Sequence, residues 1–154
     1  MNAPSLLAEL GTSMGLEGFQ LDANGCVQLV FDDSVEVNFE YDEADSRLQI
    51  YSSMGNVPAE GKAEVFEMLL KANLFGIESG GSVFSIDPIA GELILFRTVQ
   101  GDEMDGATFQ KLIVDFVDTV ETWAPKVSQS HVSSGAEGQD GSPEDGVPAS
   151  MIRA

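Results

Sequence analysis

The stretch LLKANLFGIESGGSVFSIDP, Leu69 to Pro88, decides the fold. It ends an apolar run of helical spacing, crosses Glu78 and the pair Gly80 and Gly81, then alternates apolar with polar as a half-buried strand does. A glycine turn of this kind invites comparison with phosphate-binding loops. Those loops lead from strand to helix and carry three spaced glycines, or glycines followed by Lys and Ser or Thr. Here ESGGSVF leads from helix to strand, contains a glutamate and has no lysine nearby, so it reads as a connector.

On the N-terminal side, Val65, Phe66, Leu69, Leu70 and Leu74 fall on one side of a helix whose first turn suits Pro58. Before it lie four runs of period two: Phe19 and Leu21; Val27, Leu29 and Phe31; Val35, Val37, Phe39 and Tyr41; Leu48 and Ile50. The turn-forming segments DANG, DDS and DEADS separate them, which predicts an antiparallel meander with one apolar face. At the start of the chain Pro4, Leu6, Leu7, Leu10 and Met14 predict a short amphipathic helix, with Gly11 and Gly15 as stops. On the C-terminal side, SVFSID and GELILFRTVQ read as a hairpin, and Leu93 to Phe96 is apolar on both faces. Asp105 can cap a third helix, with Phe109, Leu112, Ile113, Phe116, Val117, Val120 and Trp123 on one stripe, ending at Pro125. The composition then turns to Ser, Gly, Pro and acid, which predicts a domain over 1–127 and a flexible acidic tail over 128–154.

With 154 residues, 26 acidic against 7 basic, the chain carries a formal charge of −19. That balance argues against nucleic acid and anionic membranes as partners, since no basic patch exists to release counterions. It leaves a highly soluble surface or the steering of a basic partner. Cys26 is the only cysteine, so no intramolecular disulfide forms and a reducing compartment is expected. The N-terminal residues lack the basic and apolar regions of a secretory signal, and no segment has the apolar length of a membrane span. The single histidine, His131, falls in the expected tail, which removes histidine-based triads and zinc sites from the folded part; no enzyme is expected, and a carboxylate-dependent one resting on Asp32 or Asp33 is the catalytic alternative. No metal or other cofactor is expected. Asp22, Asp32, Asp33, Asp42, Glu43 and Asp45 lie in or beside turns and are accounted for by turn chemistry.

The order of these pieces resembles the class I type III secretion chaperones, the Tir chaperone family. LLAELGTSMGLEGFQLDANGCVQLVFDD is similar to the family's opening helix, Gly-Leu turn and first hairpin, and LQIYSSMGNVP to the strand before the second helix. LLKANLFGIESGGSVFSIDPIAGELILFR resembles its most recognisable block, and FQKLIVDFVDTVETW its closing helix, over roughly residues 5 to 127 in all. The resemblance implies an α+β fold of order α-β-β-β-α-β-β-α, a twisted antiparallel sheet flanked by three helices. It implies a cytoplasmic homodimer that binds the N-terminal segment of a secreted effector and passes it to the secretion apparatus, the secretion ATPase being a further partner.

For the dimer this places Phe66, Leu70, Leu74, Phe75, Leu93 and Leu95 at the interface; for the effector, Leu6, Leu10, Met14, Phe31, Val37 and Phe39. The alternative for each is that it fills the chain's own core. Met54 and Met68 suit either adaptable contact or gap filling. A regulatory adaptor of the same fold is the alternative function, followed by an acidic decoy for a basic protein.

Overall fold

A computed structural model of the chain describes residues 2–100 and 104–136, with side chains as far as Ser130. The elements follow the order α1 (Ala3–Ser13), β1 (Cys26–Phe31), β2 (Val35–Asp42), β3 (Arg47–Asn56), α2 (Lys62–Ala72), a 3-10 turn (Leu74–Gly76), β4 (Val83–Asp87), β5 (Glu92–Gln100) and α3 (Gly106–Ala136). The five strands form one antiparallel sheet of order β1-β2-β3-β5-β4, so β1 and β4 are its edges.

Strand alternation divides the sheet into two faces. Val37 and Phe39 of β2, Leu48 and Ile50 of β3, and Leu93 and Leu95 of β5 are buried on the face that meets Leu6, Leu7 and Leu10 of α1 and Phe109, Ile113 and Phe116 of α3. The other face carries Gln28, Asn38, Gln49, Tyr51, Ile94 and Phe96, exposed or half-buried. The both-sided apolar character of Leu93 to Phe96 follows: Leu93 and Leu95 enter the core, while Ile94 and Phe96 take the opposite face.

Four sequence expectations are corrected. Phe19 and Leu21 form no strand; Phe19 instead packs on α1 at Gly11, where a Cβ would come within 2.8 Å of it, and meets Phe39 edge to face at 6.2 Å. The meander therefore has three strands. Gly11 does not end α1, which runs to Ser13 and is capped at its start by Asn2, whose Oδ1 accepts from Ser5 N at 2.9 Å. Pro58 lies before α2, which begins after Gly61 in a left-handed conformation at φ 66°. Most consequentially, α3 passes through Pro125 and continues to Ala136.

A proline inside a helix removes a hydrogen bond and costs about 3 kcal/mol, so packing must offset it. Val127 is buried, Lys126 Nζ lies 4.2 Å from the centre of the Trp123 ring, and Ser130 Oγ contacts Met68 Sδ at 3.8 Å. His131 accordingly belongs to α3 by its backbone. The tail expected from residue 128 meets helix as far as Ala136, and 137–154 lie outside the described residues.

Candidate protein-binding surfaces

An edge strand turns alternate residues outward, offering N–H and C=O groups to any chain that can pair with them. On β1 the register fixes which ones. Gly25 O accepts from Tyr41 N at 2.8 Å, so by alternation Cys26, Gln28 and Val30 face away from β2. Cys26 is closed from within the chain: its N–H donates to Asp22 Oδ1 at 2.9 Å and its carbonyl accepts from Asp22 N at 2.8 Å. Those bonds from Cys26 N and Asn24 N hold the Asp22 carboxyl below its ordinary value. Gln28 and Val30 have no such cap among the described residues.

The β4 edge is treated in the same way by a different residue. Asn73, just beyond α2, donates from Nδ2 to Phe84 O at 3.1 Å and accepts at Oδ1 from Phe84 N at 2.8 Å. Its side-chain amide takes the place of a neighbouring strand. By alternation Ile86 is the one remaining outward residue of this five-residue strand. To bring Asn73 there the chain must reverse sharply. Phe75 is left-handed at φ 56°, and at Gly76 a Cβ would stand 2.9 Å from Gly81 Cα. Gly80 and Gly81 are also left-handed, and Arg97 Nη1 donates to Gly80 O at 2.7 Å. The glycines of the decisive stretch serve this reversal, and Trp123 Nε1 fastens it by donating to Glu78 O at 3.1 Å.

The reversal leaves apolar side chains in the open. Leu70 is 69% exposed, Leu74 62%, Phe75 89% and Ile77 79%. Beside them a 370 Å³ groove runs between α2 and β4, lined by Phe66, Leu69, Leu70, Phe84, Ile86 and Leu93. Large apolar groups gathered this closely mark an interaction surface.

Of the residues expected to meet a second copy, Leu70, Leu74 and Phe75 are at this surface and Phe66 lines its groove. Leu93 and Leu95 are buried in the core, because odd-numbered residues of β5 point to the helices, and of the two only Leu93 reaches the floor of the groove. Of those expected to meet an effector, Leu6, Leu10, Val37 and Phe39 are likewise enclosed. Met14 is exposed at the end of α1, and Phe31 is half-buried at the end of β1. Met54 is buried and Met68 half-buried. Sequence reasoning missed Gln28, Val30 and Ile77. The odd-even alternation of β1 would have indicated the first two only once its edge position was known.

The turn carboxylates do local work. Asp42 Oδ1 accepts from Ala44 N at 3.0 Å, Asp87 Oδ1 from Ile89 N at 2.8 Å, and Arg47 pairs with Asp45. Asp32 and Asp33 take the left-handed conformations that their tight turn requires. Burial, and after it the charges of Glu40 and Asp22, push the Cys26 thiol up, which disfavours a reactive thiolate. Among the described residues no group of three or more metal-binding side chains comes together, and no helix is long and apolar enough to cross a membrane.

Comparison with known proteins agrees with this layout. A model of the Tir chaperone protein (CesT) family matches residues 5–124. A protein of Chlamydia pneumoniae is 29% identical over 120 residues, covering 77% of this chain and 90% of that one. Among solved structures, the fold is similar to the ExsC–ExsE complex, with a TM-score of 0.67 and 24% identity over 81% of this chain and 96% of that one. It is also similar to the HopA1–SchA chaperone–effector complex, with a TM-score of 0.66 and 16% identity over 79% and 91%. For the Yersinia pestis type III secretion chaperone SycH, bound to a fragment of YscM2, the TM-score is 0.60 and the identity 22% over 77% and 97%.

Proposed function

The chain belongs to the Tir chaperone (CesT) family, a family of effector-binding type III secretion chaperones, and on that premise we propose how it works. It acts in the bacterial cytoplasm as a homodimer that binds the N-terminal region of a secreted effector, keeps it extended and partly unfolded, and delivers it to the secretion apparatus, where the secretion ATPase is its next partner. It performs no catalysis and requires no cofactor.

The observation that carries this reading is the open stretch of the β1 edge. An extended polypeptide can add itself there by pairing with Gln28 and Val30, as in other cases of β-augmentation. Side chains of the added strand would continue the apolar face of Val27, Leu29 and Phe31, all three of which are half-buried. The second copy joins at the other end of the sheet, through Leu70, Leu74, Phe75 and Ile77, where apolar exposure is greatest. The net charge of −19 keeps such a surface soluble before its partners arrive. We take the chaperone unit to extend through α3 to at least Ala136 rather than to residue 127, because the packing of Val127 joins the helix end to the core.

The test is capture of the full-length, tagged protein's partners from its native cell at high salt, with mass spectrometry of what stays bound. The expected result is one dominant larger protein held through its N-terminal region. Recovery of basic proteins alone, leaving as salt rises, would overturn the reading in favour of an acidic decoy. A regulator with no link to secretion would favour the adaptor.

A further inference from the structure

Two sides of α2 meet different surroundings. Phe66, Leu70 and Asn73 line the 370 Å³ groove shared with β4, whereas Glu64, Met68 and Lys71 line a hollow beside Trp123 of α3. At about 3.6 residues per turn the two sets lie on opposite sides of the helix. The groove is almost wholly apolar. Its polar side chains are Asn73 and Ser85, and the Asn73 amide is already bonded to Phe84 at both ends. An apolar cavity of about 150 Å³ holds one benzene molecule. At 370 Å³ the groove has room for two large apolar side chains.

The chain leaves the fold next to this helix. Ser130 Oγ of α3 contacts Met68 Sδ of α2 at 3.8 Å, and α3 runs on to Ala136. Residues 137–146, EGQDGSPEDG, then carry no large apolar side chain, and 147–153, VPASMIR, bring Val147, Met151 and Ile152 within one short stretch. Both stretches lie beyond residues 5–124, which match the family. Reach decides what the second stretch can meet. The helix from 131 to 136 carries the chain about 9 Å past Ser130. Ten extended residues span at most about 33–36 Å. Returning that distance and crossing α2, about 10–12 Å wide with its side chains, uses less than about two-thirds of the span.

We infer that residues 147–153 lie in the groove of their own chain, with Met151 and Ile152 between Phe66 of α2 and Ile86 of β4. The entropy cost of closing the spacer grows only with the logarithm of its length, and removal of apolar side chains from water on both sides offsets it. The inference does not rest on the chaperone reading. Leu74, Phe75 and Ile77, which carry the proposed contact with a second copy, are not among the residues that line the groove.

Methyl NMR of the purified full-length protein tests this without an effector, so its outcome is separate from that of the capture experiment. Nuclear Overhauser effects are expected from the Met151 methyl to the methyls of Ile86 and Leu70. Met151→Asp with Ile152→Asp should abolish them and shift the Ile86, Leu70 and Leu93 methyls, with Leu6 and Leu48 of the core in place. The Val147–Arg153 peptide, added to that variant, should restore the wild-type shifts saturably, and the same peptide with aspartate at both positions should bind at least tenfold more weakly. In the Leu74→Asp, Phe75→Asp background the effects should persist. Groove methyls unmoved by Met151→Asp with Ile152→Asp would overturn the inference. Loss of the effects in the Leu74→Asp, Phe75→Asp background would overturn it in favour of a second copy in the groove, and effects found only between differently labelled copies in favour of that copy's segment.

Discussion

The two edges of the sheet use the same device and end up offering different things. At β1 the backbone of Asp22 and its carboxylate close Cys26, and Gln28 and Val30 remain open. At β4 the Asn73 amide closes Phe84, one outward residue remains, and exposed Leu70, Leu74, Phe75 and Ile77 cluster alongside. One edge presents backbone in need of partners; the other presents side chains in need of cover. An unfolded client and a folded second copy differ in the same sense, since the first can supply a strand and the second a matched apolar surface.

The largest effect is expected at the β4 end. If the copies join as proposed, Leu74→Asp with Phe75→Asp should leave the protein monomeric in light scattering while the circular dichroism spectrum is kept, because both side chains are exposed within the chain. An unchanged dimer would remove this cluster from the interface. Leu93→Asp is expected to unfold the protein rather than only separate copies, since a charge would enter the core.

The comparison sharpens with proline at matched outward positions. Val30→Pro removes an outward N–H without breaking the β1–β2 ladder, and should weaken binding of the captured client at least tenfold. Ile86→Pro, the equivalent change on β4, should leave client affinity within about twofold. Equal losses from the two would break the assignment of the client to β1.

Next in size is the cap itself. Asn73→Ala leaves the Phe84 amide and carbonyl without partners and should cost about 1–3 kcal/mol in urea unfolding, with concentration-dependent association through the freed β4 edge. No change in stability would mean that β4 holds its place without Asn73.

The smallest effect is pH-dependent. Because the Asp22 carboxyl is depressed below its ordinary value of 3.8, its stabilising contribution is complete above that value and is lost as pH falls through the folded-state pKa. Asp22→Ala should therefore melt below the wild type at pH 7, and the gap should close in strong acid. A gap that is constant with pH would assign the loss to something other than the carboxylate.

These differences were unequally legible in the sequence. The helix stripes of α1 and α3 and the alternation in β1 to β3 were plain, because each apolar period has one physical interpretation over several residues. The α2 stripe was misleading: Val65, Leu69 and Ala72 are buried, whereas Leu70, one residue on from Leu69, turns outward. Apolar character alone does not separate a residue that meets its own core from one that waits for another chain.

The sequence by itself determined the order of elements from β1 onward, the connector at Gly80 and Gly81, the acidic composition and the family, all of which depend on local conformation and composition. Only the tertiary structure decided which strands became edges, that Asp22 and Asn73 would cap them, and that α3 would run on through Pro125. Asn73 and Phe84 are eleven residues apart, and Trp123 reaches back 45 residues to Glu78. Such bonds depend on where the chain returns in space, and the stability of α3 beyond its proline depends on Val127 finding the core there.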